Sequence, residues 1–212
     1  MSVTFLTDGA ETAQATILLA HGAGAPMDSA SMTAAARALA DAGLRVARFE
    51  FAYMASRRTG GGRKPPPRAD TLIGEYAAAV DELGASQPLI IGGKSMGGRV
   101  ASMVADQLYA DHKISGLLCL GYPFHPPGRP EQLRTKHLEG LKTPAIICQG
   151  TRDQFGTKEE VPSYTLSDQI ELFWFEDGDH DLRPRRGVSG FTAAQHMQTM
   201  AEAVARWIAR LP

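Results

Sequence analysis

Cysteine is nearly absent. The 212 residues hold two, Cys119 and Cys148, each inside an apolar run that reads as a strand. Two isolated thiols of that kind are small buried hydrophobes of a reducing compartment, neither a disulfide framework nor a nucleophile. Net charge is nearly absent too: 22 basic against 23 acidic residues give −1, so no global field favours nucleic acid or an anionic membrane. No apolar run approaches the roughly 20 residues that span a bilayer. The opening MSVTFLTDGAET is too polar for a secretory signal, and a cytoplasmic location is expected.

Metal and cofactor signatures also fail at identifiable positions. No H-E-x-x-H or paired-cysteine spacing occurs. Asp177, Asp179 and Asp181 imitate the start of a calcium loop, but that pattern wants Gly and Glu where the chain has Leu182 and Val188. Gly93-Lys94-Ser95 imitates the end of a phosphate-binding loop whose first glycine would fall on Pro88. The small-residue run after the first good strand would need its third glycine at Met27, with Glu50 as the ribose ligand. No metal and no cofactor are expected.

What remains is ordinary globular composition, 43% hydrophobic and 21% charged, long enough for one domain over residues 1–212. Apolar runs at 16–20, 44–51, 89–91, 114–120, 144–149 and 170–175 read as strands, with a short edge strand at 3–6. Between them lie helical stripes: Met32, Ala36, Leu39 and Ala40; Leu72, Ile73, Tyr76, Val80 and Leu83; Val100, Met103, Val104 and Leu108; then Met197 to Leu211. Asp28 or Ser29 is the expected cap of the first helix and Asp70 of the second. Residues 53–68, YMASRRTGGGRKPPPR, read as one irregular loop because of their glycines and prolines. Alternating strands and helices imply an α/β fold: a mostly parallel central sheet, helices on both faces, no large cap domain.

In such a sheet, functional groups collect beyond the carboxyl ends of the strands. Leu89-Ile90-Ile91 runs into Gly92-Gly93-Lys94-Ser95-Met96-Gly97-Gly98, and a helical stripe follows. Glycines two residues either side of Ser95 suit a strand-to-helix corner too tight for a Cβ, the G-x-S-x-G nucleophile elbow. A serine hydroxyl needs a base, and the base needs an orienting acid. Asp153 and His180 follow the last two strands, in the order nucleophile, acid, base. His112, His137 and His196 read as solvated surface residues, and His21 as a prop for its loop. His125 is the rival base, in a long loop able to fold over the site. Asp177, Asp179 and Asp181 are the competing carboxylates, read as solvated or turn-capping. The Met96 amide, opposite that of Ala23 or Gly24, makes the expected oxyanion hole. Residues 57–68 carry Arg57, Arg58, Arg63, Lys64 and Arg68 without an acid. Most such runs are solvated, but Arg57 and Arg58 are nearest the strand and are candidates for holding a carboxylate or phosphate.

The motifs HGAGAPMDS, GGKSMGGR, YPFHPPG, GTRDQFG and GDHDL, in this order, resemble the small bacterial alpha/beta-hydrolase-like family. That family is related to the hydrolase-like domain of a chromatin (NSL) complex subunit and, more distantly, to dienelactone hydrolases. The resemblance implies the alpha/beta-hydrolase fold and a Ser-Asp-His site on Ser95, Asp153 and His180. Dienelactone hydrolases place cysteine where this chain has Ser95. The expected function is hydrolysis of a small-molecule ester or thioester, with no nucleic-acid or membrane partner and the oligomeric state open. The alternatives are a catalytically idle binding module, as some relatives are, and a serine peptidase using the same triad.

Overall fold

The structure, a computed structural model, describes residues 3–60, 62 and 65–212. Seven strands form one sheet: β1 (Leu6–Asp8), β2 (Thr16–Ala20), β3 (Arg45–Phe49), β4 (Leu89–Lys94), β5 (Gly116–Leu120), β6 (Ala145–Gly150) and β7 (Ile170–Phe175). Their order is β1-β3-β2-β4-β5-β6-β7, with β1 antiparallel to β3 and every other pair parallel. The helices are α1 (Ala30–Asp41), α2 (Ala52–Arg58), α3 (Ile73–Leu83), α4 (Met96–Ala110), the single turn α5 (Arg186–Ser189) and α6 (Ala193–Ile208). Among the described residues no helix is long and apolar enough to cross a membrane.

Every residue of β2, β5 and β6 is buried, as a parallel sheet covered on both faces requires. Successive side chains point to opposite faces. Leu18 and Ala20 therefore join one core with Tyr76 of α3 and Val100 and Val104 of α4. Ile17 and Leu19 join the other, with Met32 and Leu39 of α1 and Met200, Val204 and Trp207 of α6. Tyr76 is fully buried, and its hydroxyl takes the Gly92 N–H at 2.8 Å, tying α3 to β4. Cys119 and Cys148 are free and fully buried, and burial pushes both thiols up.

The chain leaves β2 toward β3 on one side and returns to β4 on the other. The strand order thus reverses between β2 and β4, and their carboxyl ends open a crevice there. His21 follows β2 and Ser95 follows β4, so the topology puts these two loops side by side.

Some boundaries differ from the sequence reading. The edge strand is Leu6–Asp8 rather than 3–6. Residues 52–58 are helical, not part of an irregular 53–68 loop. The glycines and prolines that argued for a loop all follow Thr59, and YMASRR contains no breaker. Arg63 and Lys64 lie outside the described residues. Ser29 is the N-cap of α1 but makes no side-chain capping bond, and Asp70 sits inside a 3-10 turn before α3.

Candidate active site

Ser95 joins β4 to α4 with φ 52° and ψ −116°, a backbone state that non-glycine residues rarely hold. The corner is enforced by its neighbours. A Cβ on Gly93 would lie 2.6 Å from the Ala20 carbonyl oxygen, and one on Gly97 2.4 Å from the same atom. No side chain fits either place without moving backbone. The Ser95 N–H donates to the Leu120 carbonyl at 3.0 Å, fixing the turn to β5. As the first helical residue, Met96 has an amide with no intrahelical acceptor, and it points out of the helix N-terminus.

His180 Nε2 lies 2.8 Å from Ser95 Oγ, and His180 Nδ1 lies 2.8 Å from Asp153 Oδ2. The carboxylate only accepts, so Nδ1 carries the proton and Nε2 presents its lone pair to the serine hydroxyl. Asp153 is fully buried, yet its oxygens are well supplied. Oδ1 accepts the Phe155 N–H at 2.9 Å, and Oδ2 accepts from Gln149 Nε2 at 2.9 Å. The Phe155 ring covers the imidazole, with centroids 4.2 Å apart. Lys94 Nζ donates to the His180 carbonyl and sits 3.3 Å from Asp181 Oδ1. Burial pulls the Lys94 pKa below its usual value, against the nearby aspartates. Gly121, at φ 64°, leaves room for His180: a Cβ there would lie 2.6 Å from the His180 carbonyl oxygen.

Across the crevice, Gly22 packs on the elbow, where an added Cβ would meet Ser95 Cβ at 3.8 Å. Tyr53 donates to the Ala23 carbonyl at 3.0 Å and pins this loop. His21 is fully buried, and burial holds its pKa low. Its Nε2 accepts the Phe51 N–H at 3.2 Å, while Nδ1 donates to the Gly22 carbonyl at 2.6 Å. The neutral ring is a strut between two loops.

A model of the alpha/beta hydrolase domain matches residues 13–209. The chain belongs to the alpha/beta hydrolase family. Solved structures share the fold at low identity. A Xanthomonas campestris protein described as an α/β serine hydrolase without lid is 19% identical, with TM-score 0.67 over 99% of this chain and 90% of that one. Dienelactone hydrolase from Anabaena variabilis is 17% identical, with TM-score 0.72 over 99% and 92%. The Butyrivibrio proteoclasticus protein Est1E, solved with ferulic acid bound, is 16% identical, with TM-score 0.68 over 98% and 94%.

Three of the other histidines of this alpha/beta hydrolase, His125, His137 and His196, fall differently from the sequence reading. His112 is exposed as expected. His196 is not: it is buried against Phe175 and Phe191, with Nδ1 2.7 Å from the Leu182 carbonyl. His137 is half-buried, its Nε2 2.8 Å from Ser102 Oγ and 3.3 Å from the Tyr122 hydroxyl. Burial and then the charge of Arg99 push its pKa down to about 4. His125 does not fold over the serine. It is 2% exposed behind the acid's turn, with its N–H on the Phe155 carbonyl and Nδ1 2.8 Å from the Pro126 carbonyl.

Of the two candidate anion-binding arginines, Arg58 is committed elsewhere. It makes paired hydrogen bonds to Asp28 and to Glu50, so its charge is neutralised in place. The same contacts occupy Glu50, which also accepts the Met27 N–H. Arg57 lies over the Tyr53 ring at 5.4 Å and points Nη1 at Met54 Sδ. Asp177 is paired with Arg185 and Arg152, and Asp179 caps its own turn through the Asp181 and Arg183 amides.

Gln149 and Lys94 were not singled out from the sequence as functional. Gln149 ends a strand that is apolar at every preceding position, so a buried amide there was the available signal. Nothing in the pattern around Lys94 announced its reach to the base loop.

Proposed function

We propose that the protein is a serine hydrolase of carboxylic esters or thioesters, working through an acyl-enzyme on Ser95. The observation that carries this is the unbroken line Ser95 Oγ, His180 Nε2, His180 Nδ1, Asp153 Oδ2, with both contacts at 2.8 Å. Ser95 Oγ attacks the carbonyl carbon as its proton passes to Nε2, and Asp153 stabilises the imidazolium. The oxyanion of the tetrahedral intermediate takes hydrogen bonds from the Met96 N–H and from Ala23 or Gly24 across the crevice. His180 then protonates the departing alcohol or thiol. Water, deprotonated by the same nitrogen, releases the acid and restores Ser95. His180 returns the water's proton to Ser95 Oγ as the acid leaves, so each proton taken up by Nε2 is given back. Est1E and the esterase domain of a Rhodothermus marinus protein, similar in fold, carry names in line with this chemistry.

The buried free thiols fit a reducing, cytoplasmic setting. Within this proposal, the resemblance of the HGAGAPMDS and YPFHPPG motifs supports kinship with the small bacterial relatives of the NSL subunit domain. The test is turnover of an acyl-ester and acyl-thioester chain-length panel by purified protein. Ser95→Ala should lower kcat by about 10⁶ if the three residues act as a unit. Folded protein that turns over no member of the panel, with or without Ser95, would favour a binding role instead.

A further inference from the structure

Several arginines of this fold are met by a carboxylate. Arg48 pairs with Asp8, Arg58 with Asp28 and Glu50, and Arg152 with Asp177. Arg99, one helical turn after Ser95, and Arg134 are not. Both are half-buried, and among the described residues neither guanidinium lies within ion-pair distance of an acid or makes a side-chain hydrogen bond. Arg99 Nε is out of contact with solvent and has no acceptor. Burial, and then the neighbouring charge of Arg99, hold Arg134 below the usual arginine range. Two half-buried cations without an acid, one with a buried donor unmet, are an arrangement that an anion would relieve.

Their position ties them to the catalytic corner. Arg99 lies one turn into α4, and its N–H donates to the Ser95 carbonyl at 3.0 Å. Residues four apart share a helix face, so Arg99 is on the face of α4 that begins at Ser95. Arg134 closes the loop after β5, the strand whose Leu120 carbonyl holds the Ser95 N–H. Its own backbone is fixed there: the Arg134 carbonyl accepts from the Tyr122 hydroxyl at 3.0 Å, and its N–H donates to the Phe124 carbonyl at 2.7 Å. Next to the pair, His137 bonds to Ser102 and Tyr122, and the charge of Asp106 is felt there, but Asp106 is spent on the Lys142 and Thr143 amides.

We infer that Arg99 and Arg134 form an anion subsite beside Ser95, selecting esters or thioesters that carry a second acidic group, a carboxylate or a phosphate. This rests on Ser95 being the nucleophile. It also moves anion recognition away from the α2 arginines, one of which is already neutralised. A planar fork that grips two oxygens suits either oxyacid, and two forks side by side favour a doubly charged group over a neutral chain.

The experiment compares kcat/KM within matched pairs: p-nitrophenyl hexanoate against the p-nitrophenyl monoester of adipic acid, and phenyl acetate against its 4-phosphate counterpart. The first pair places the anion on the acyl side, the second on the leaving side. In Arg99→Gln and Arg134→Gln the anionic-to-neutral ratio should fall at least tenfold for one pair or both. Arg99→Lys and Arg134→Lys, which keep the charge and the fold but lose the fork, should fall between. Arg129→Gln, an exposed neighbour in the same loop, should leave the ratio unchanged. A ratio within twofold of wild type in both Gln variants, for both pairs, overturns the inference. If no ester is turned over, the hydrolase reading fails and calorimetric titration of the Ser95→Ala protein with adipate and inorganic phosphate decides. Binding weakened tenfold by Arg99→Gln upholds the subsite; binding unchanged, or none, removes it.

Discussion

Ser95 and His180, the proposed nucleophile and base, are held in opposite ways. The Ser95 corner is a backbone construction: a left-handed serine, and flanking glycines that leave no room for a Cβ. The His180–Asp153 seat is a side-chain construction, drawn together from β4, β6 and two loops by Lys94, Gln149 and Phe155. The glycine spacing that permits the corner lies within five consecutive residues, although the Ala20 and Leu120 backbones form its walls. A side-chain seat depends on partners up to 86 residues apart, as Lys94 and His180 are. The corner should therefore fail by unfolding, and the seat by losing rate while the fold survives.

The largest effect expected on the seat is from its acid. Asp153→Asn should leave the protein folded and lower ester kcat by about 10⁴, because the amide favours the wrong imidazole tautomer. Asp179→Asn should cost little, since its carboxylate caps a turn. Equal losses in the two variants would show that the wrong carboxylate has been assigned.

A smaller pair of effects sets the two regions directly against each other. Gly97→Ala puts a Cβ 2.4 Å from backbone that has nowhere to move, and should cost ~3 kcal/mol or more in denaturant unfolding. Gln149→Leu removes one donor from a buried carboxylate and should cost about 1–3 kcal/mol, with kcat falling alongside. If Gly97→Ala were as stable as wild type, the corner would not be the rigid element described.

The smallest effect is a pH slope remote from the triad. His137 titrates near 4 in the fold, against roughly 6.5 when unfolded, so between those values the unfolded chain binds more protons. Stability should therefore fall as pH drops through that window. His21 shifts in the same direction, so His137→Gln should flatten part of the slope in thermal melts from pH 4 to 7. Identical slopes would contradict the burial of His137.

The same contrast explains what could be read in advance. Six parallel strands, their alternation with helices and the elbow all follow from apolar runs and glycine spacing, which are local signals. Asp153 and His180 were reachable because the topology puts strand ends on one rim. The α2 helix was hidden because the breakers after Thr59 coloured residues that precede them. His125, His137 and His196 went astray for another reason: a histidine reads as polar, while its burial depends on a distant carbonyl or hydroxyl that no window contains. Gln149 and Lys94 belong with them.

The central claim is that Ser95 is activated by His180, and a fluorophosphonate probes it most directly. The reagent phosphonylates only a serine whose base is in place, and its product imitates the tetrahedral intermediate. The account predicts one adduct, on the peptide containing Ser95, absent in Ser95→Ala and strongly slowed in His180→Ala. Folded protein that stays unlabelled, or that labels as fast without His180, would contradict it.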